Sequence, residues 1–304
     1  MGQVLTSQLF ENNTLEGNHN PIDDAYDDLL IKANNGDSRA QYLIGCFYYY
    51  GRKVETNHSI ASNWFIKSAD QNLVEAQTIL GYQYMYGDGI AKDIDKAIEL
   101  LEKAHAQGSA YACFLLGKIY HFDPQKKSRF TASGYYVWAI EMGSTEAKRY
   151  RADMYMDTGE YKEALNLYVR ALKEGCVESA FNAANMFEYG RGCEVNDELA
   201  FNLYLHAAEN GVMMAQHNVG AYYYNAKYVE KDIRKAFDWY LKAANQGSAM
   251  SQHNIGLMYF NGDLPQDLEV SLEWFKKSLE NGYKNAERYI RDIEQILNKE
   301  YIEQ

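Results

Sequence analysis

The sequence predicts an all-α chain: a stacked array of antiparallel helical hairpins, seven of them, with a capping helix at each end. Three observations predict it. Gly36, Gly108, Gly143, Gly175, Gly211, Gly247 and Gly282 recur every 32 to 36 residues, and Asn72 takes the one missing beat. Four residues after each mark stands a small side chain, Ala40, Ala76, Ala112, Ala147, Ser179, Ala215, Ser251 and finally Ala286. Nine and twelve residues after it come a Gly or Ala and then an aromatic, as in Gly81 and Tyr84. A repeat of this length, sustained over the chain, marks a stacked array in which each unit buries its apolar face on its neighbours.

Each element follows from the phase. In the second unit Ala76, Leu80 and Tyr84, then Ala97, Leu100, Leu101 and Ala104, step by three and four residues, as on two amphipathic helices A and B. Tyr86-Gly87-Asp88-Gly89 separates them, with glycines suited to a turn. Asp93 stands four residues before Ala97, where its carboxylate can cap helix B. Asn57, Ser128, Asn196, Asp232 and Asp267 hold the same place, and only the fourth unit differs, with Glu160. The closing glycine suits a left-handed residue that ends helix B. Gly81 and its equivalents lie inside helix A, where glycine costs about 1 kcal/mol against alanine. A cost repeated at one phase predicts close backbone approach by helix B.

The ends are assigned by the same phase. Residues 1–20 are expected to be a flexible segment and 21–282 one solenoid. Asn20 and Pro21 would start a lone helix over 21–35, its Asp23, Asp24, Asp27 and Asp28 favoured by the helix dipole. Residues 283–304 would form a C-terminal capping helix, where Arg291 and Glu294 replace the Gly and Tyr of the repeat.

Composition narrows the function. No run of 18 apolar residues exists, so no membrane span is expected, and no secretory signal is visible. Net charge is −12, which argues against nucleic acid and matches a basic protein or peptide partner. About 13 helical residues between Cys176 and Cys193 hold those two roughly 20 Å apart, too far for a disulfide. All four cysteines then read as reduced thiols of a cytoplasmic protein. There is no phosphate-cradling loop, nucleophile elbow or metal-spaced cluster, so neither enzyme activity nor a cofactor or metal is expected.

Ala76-Gln-Thr-Ile-Leu-Gly-Tyr-Gln-Tyr-Met-Tyr-Gly-Asp-Gly and Lys235-Ala-Phe-Asp-Trp-Tyr-Leu-Lys-Ala-Ala-Asn-Gln-Gly resemble the Sel-one-like repeat, a relative of the tetratricopeptide repeat. The resemblance covers about residues 37–300 and implies a right-handed superhelical α-solenoid of helical hairpins, used as a scaffold or adaptor that binds proteins. The fourth unit departs from it: Gly159-Glu-Tyr-Lys-Glu-Ala has the short turn of a plain tetratricopeptide hairpin.

In such solenoids helix A lines the concave side, and its outward positions are the candidate partner-binding surface. By phase these are Tyr42, Tyr49, Tyr82, Met85, Phe114, Lys118, His121, Arg149, Phe181, Asn185, His217, Tyr224, His253 and Phe260. Cys46, Thr78, Asp153, Met156, Glu188, Ala221 and Leu257 share those phases. His217 and His253, beside Asn218 and Asn254, are expected to form an amide and imidazole ladder rather than a metal site. Phe181 with Asn185 and Phe114 with Lys118 do not complete a peptide-carboxylate clamp. Lys126, Lys127 and Arg129 make a basic spot read as a solvated loop. Two narrower roles stand as alternatives: an immunity or antitoxin protein blocking a basic toxin, and a host-directed virulence effector or membrane-attached scaffold. The second rests on Met1-Gly2-Gln-Val-Leu-Thr6, which fits a short N-myristoylation pattern.

Overall fold

The computed structural model describes residues 26–302, with side-chain surroundings through residue 298. The expected cap at Asn20 and Pro21, the carboxylates of Asp23 and Asp24, and the Met1-Gly2 pattern lie outside the described residues. Within them every regular element is helical. Helix α1 is Tyr26–Asn34. Then come α2 Ser38–Tyr50 with α3 His58–Ala69, α4 Val74–Tyr86 with α5 Ile94–Ala106, and α6 Ala110–Phe122 with α7 Arg129–Glu141. Next are α8 Thr145–Thr158 and α9 Tyr161–Lys173, followed by α10 Val177–Tyr189 with α11 Asp197–Glu209. The last are α12 Met213–Asn225 with α13 Ile233–Asn245, α14 Ala249–Phe260 with α15 Leu268–Glu280, and α16 Ala286–Ile302. Adjacent helices pack as hairpins. The contacts divide into two compact units, one ending at Ala147 and one beginning at Lys148, so the boundary falls inside α8.

The expected caps form by hydrogen bonding. Asn57, Asp93, Ser128, Asn196, Asp232 and Asp267 each accept from the backbone N–H three residues on, at 2.8 to 3.3 Å. Glu160 makes no side-chain cap bond. The recurring glycines mark helix ends: Gly36, Gly108 and Gly247 have φ of +94°, +89° and +92°, and Asn72 reaches +63° in the same place. A side chain there would meet nothing within 4 Å at Gly36, Gly108 or Gly247, so the backbone angle alone selects glycine.

The glycine inside helix A has a different cause. A Cβ at Gly117 would stand 2.5 Å from the Tyr136 ring, and one at Gly45 2.5 Å from Phe65. Gly81 faces Leu101, Gly220 faces Tyr240 and Gly256 faces Phe275 in the same way. The expected close approach is therefore made by one large side chain of helix B, not chiefly by its backbone. Phe65, Leu101, Tyr136, Tyr240 and Phe275 are all buried.

In the first unit α1 packs Tyr26 edge-on against Phe47 at 5.0 Å, and Ala33 joins Ala40, Ile44 and Phe47. In the second, α16 lays Tyr289, Ile290, Ile293 and Leu297 over Phe275, Leu257 and Phe260. The short turn of the fourth repeat is present as Gly159-Glu160 between α8 and α9, with Gly159 at φ +78°.

Candidate interaction grooves on the A helices

The candidate positions do not share one environment. Tyr42, Phe114, Lys118 and His253 are buried, as are Thr78 and Cys46. Their phase turns them toward the next hairpin and toward helix B: Tyr42 lies 5.8 Å from Phe65, Phe114 6.4 Å from Tyr136, and His253 5.0 Å from Phe275. These four are packing residues, and the expectation that they face outward is corrected. Tyr49, Tyr82, Met85, His121, Arg149, Phe181, Asn185, His217, Tyr224 and Phe260 are half-buried.

Several of these hold neighbouring repeats together. The Tyr49 hydroxyl donates to Asp88 at 2.6 Å, thirty-nine residues on, and His58 pairs with the other oxygen of that carboxylate. The Tyr224 hydroxyl donates to Asp263 at 2.6 Å with the same separation. Between Glu188 and Lys227 the bond becomes an ion pair at 2.8 Å, again thirty-nine residues apart. The end of helix A thus fastens the following repeat's loop through one interchangeable contact. Burial, then the hydrogen bond to Asp263, pushes the Tyr224 hydroxyl up to about 12.

A glutamine ladder runs beneath, one residue before the phase at which histidines were expected to make it. Gln41 and Gln77 in the first unit accept from Gln71 and Gln107, each at 2.8 Å. In the second, Gln216 accepts from Gln246 at 2.8 Å and Gln252 from Asn281 at 3.0 Å. Gln41, Gln216 and Gln252 each donate to the carbonyl eight residues back, at 3.1 Å. The fourth repeat replaces the amides with a Lys148–Glu174 ion pair. His217 instead contacts Ser251 Oγ at 2.9 Å, while His253 lies among Phe275, Tyr283 and Tyr289. Burial lowers the pKa of both imidazoles.

Buried tyrosines of the B helices send their hydroxyls to polar side chains of the A helices. Tyr168 donates to Asp153, Tyr204 to Glu188 at 2.7 Å, and Tyr136 lies 3.3 Å from His121 Nδ1. The other A-helix positions make contacts of their own. Lys118 donates to the Tyr86 hydroxyl at 2.6 Å, beside Tyr82, whose ring lies 4.7 Å from that of Tyr86. Arg149 lies over Tyr150 and 3.6 Å from Asp153. Phe181 packs 5.8 Å from Tyr204, Asn185 donates to the Phe181 carbonyl at 3.4 Å, and Phe260 meets Tyr289.

In the second unit α12, α13 and α14 enclose a pocket of about 200 Å³, lined by Ala221, Tyr224, Asn225, Tyr240, Asn254 and Leu257. Ala221, Tyr224 and Leu257 are outward A-helix positions that the repeat phase brings together. Tyr240, Asn225 and Asn254 were missed, because they reach the pocket from helix B or from a neighbouring phase.

The cysteines are free thiols, Cys46 and Cys113 buried, Cys176 and Cys193 half-buried. Burial raises Cys46 to about 12 and Cys113 to about 11, which keeps both protonated. Among the described residues no three His, Cys, Asp or Glu side chains gather as metal ligands, and no helix is long and apolar enough to cross a membrane.

Comparison with known proteins agrees with this arrangement. A solved Sel1 repeat protein from Oxalobacter formigenes is 26% identical, with a TM-score of 0.72 over 96% of this chain and 87% of that one. A protective antigen of uropathogenic Escherichia coli that displays an SLR fold is also 26% identical, with a TM-score of 0.74 over 87% of this chain and 58% of that one. Among curated proteins, the ERAD-associated E3 ubiquitin-protein ligase component HRD3 of Candida glabrata is 23% identical over 177 residues, 54% of this chain and 21% of its own length. An uncharacterized protein of Neisseria meningitidis is 28% identical over 167 residues, 53% of this chain and 34% of its own. The chain therefore spans about a fifth and about a third of the length of these two curated relatives. The Sel1 repeat profile matches residues 38–73, 74–109, 177–212, 214–248 and 249–283, passing over the third and fourth hairpins with their altered loops. These matches take in more than half of the sequence, and the chain belongs to the Sel1 repeat family.

Proposed function

We propose that the protein is a non-enzymatic scaffold that binds an extended segment of a partner protein along the A helices of its second unit. The carrying observation is the pocket between α12 and α14. At about 200 Å³ it is smaller than ordinary ligand or cofactor sites, roughly 300–1,000 Å³, and suits one apolar side chain flanked by two amides. Asn225 and Asn254 offer both donors and acceptors to a peptide main chain. The latches and the glutamine ladder hold the walls in place before binding, so the ordering cost falls mainly on the ligand. The similarity to a ligase component supports an adaptor role, and the net charge of −12 favours a basic partner.

The test is paired capture from the native lysate with the wild-type chain and with Ala221→Arg, which fills the pocket from a half-buried position. Partners held by the wild type and lost by the variant, with helicity unchanged, support the reading. Equal capture of the same partners by both rejects it.

A further inference from the structure

The outer face of helix B is polar in most of the molecule and apolar on α7. Two residues before the small anchor of each B helix stand Ser59, Asp95, Lys162, Glu198, Arg234 and Glu269, but on α7 the residue is Phe130. Two after the anchor, Asn63, Glu99, Asn166, Asn202, Asp238 and Glu273 become Gly134. Six after it, Lys67, Lys103, Arg170, His206, Lys242 and Lys277 become Trp138. Phe130 is 91% exposed and Trp138 47%. On three other B helices a lysine at the last position lies over a tryptophan, Lys67 over Trp64, Lys242 over Trp239 and Lys277 over Trp274, at 3.8 to 4.6 Å. On α7 Trp138 takes that place and stacks on His105 at 5.0 Å.

Phe130, Gly134 and Trp138 step by four and share one face. A Cβ at Gly134 would meet nothing within 4 Å, and its φ lies outside the left-handed region, so neither packing nor backbone conformation within the chain calls for glycine. Glycine there weakens an exposed helix interior and lets another backbone approach closely. The charges are graded along the same helix. Exposed Lys127 lies in the loop just before the N-cap Ser128, exposed Arg129 opens the helix and exposed Glu141 closes it.

We propose that this face is a homodimer interface in which α7 pairs antiparallel with α7 of a second copy across a two-fold axis at Gly134. The pattern is self-complementary about that residue, as an isologous contact requires. Four residues to either side, Phe130 meets the second copy's Trp138. Seven residues to either side, Lys127 meets the second copy's Glu141. The antiparallel helix dipoles add to the match. A partner of uniform charge would satisfy only one end of the helix, whereas a second copy satisfies both.

Sedimentation velocity on the full chain, from micromolar to submillimolar concentration, should show a reversible monomer–dimer equilibrium. A monomer throughout overturns the proposal. Phe130→Lys with Trp138→Lys should weaken dimerisation roughly tenfold or more with helicity and Tm retained, since both side chains are exposed. An unchanged equilibrium places any dimer elsewhere. Lys127→Glu and Glu141→Lys should each weaken the dimer and together restore it. Failure of the double exchange to restore it overturns the antiparallel pairing.

Discussion

Gln83 shows what one misplaced polar group implies. It is fully buried on α4, and among the described residues its amide nitrogen and oxygen have no hydrogen-bond partner. Five of the six other repeats hold an apolar residue at this phase, Phe47, Ile119, Met154, Met186 and Met258, and the sixth holds Tyr222, all of them buried. A buried amide without partners costs about 1–3 kcal/mol. Gln83→Met should therefore stabilise the chain by roughly that amount, measured as a shift of the urea midpoint at constant slope. A variant no more stable than the wild type would mean that Gln83 finds a partner in solution. The position was not legible in the sequence, where Gln83 reads as one more polar residue between Tyr82 and Tyr84.

At the scale of the element, α12 and α14, which carry His217 and His253, hold the clearest dependence on pH. His253 is 7% exposed, and it and the half-buried His217 have pKa values lowered by burial. The folded state then binds fewer protons than the unfolded state, whose histidines titrate near 6.5. Stability from these groups is full above about pH 6.5 and falls as pH drops from there toward the folded values. His253→Phe introduces the residue that Phe114 and Phe181 already carry at this phase. It should flatten the difference between denaturation midpoints at pH 7.5 and pH 5. An identical pH slope in the variant would remove His253 as the cause.

At the scale of the whole molecule, each unit is closed by a helix that differs from the repeat. In the second unit α16 covers Phe275, Leu257, Phe260, Leu272 and Leu279 with Tyr289, Ile290, Ile293 and Leu297. Deleting residues 283–304 would expose that surface, large enough to drive association. Static light scattering should show aggregation of the truncated chain, or circular dichroism a loss of helicity beyond the deleted residues. A soluble truncation with an unchanged Tm would show that the last hairpin needs no cover.

The sequence by itself determined the repeat, its phase, the capped B helices and the short turn at Gly159-Glu160. Those features rest on rules that act within a few residues: helical periodicity, side-chain caps and left-handed glycines. It also marked Ala221, Tyr224 and Leu257 as outward positions on the A helices. Tertiary structure decided the rest. It turned Tyr42, Phe114, Lys118 and His253 inward, because a neighbouring hairpin covers part of each A helix. It moved the ladder from the histidines to Gln41, Gln77, Gln216 and Gln252, whose partners lie 29 or 30 residues away in sequence. It drew Tyr49, Glu188 and Tyr224 into contacts with the next repeat, thirty-nine residues on. Periodicity reports which face of a helix a residue occupies. Only packing settles what stands opposite, and so whether that face meets solvent, a neighbouring repeat or a partner.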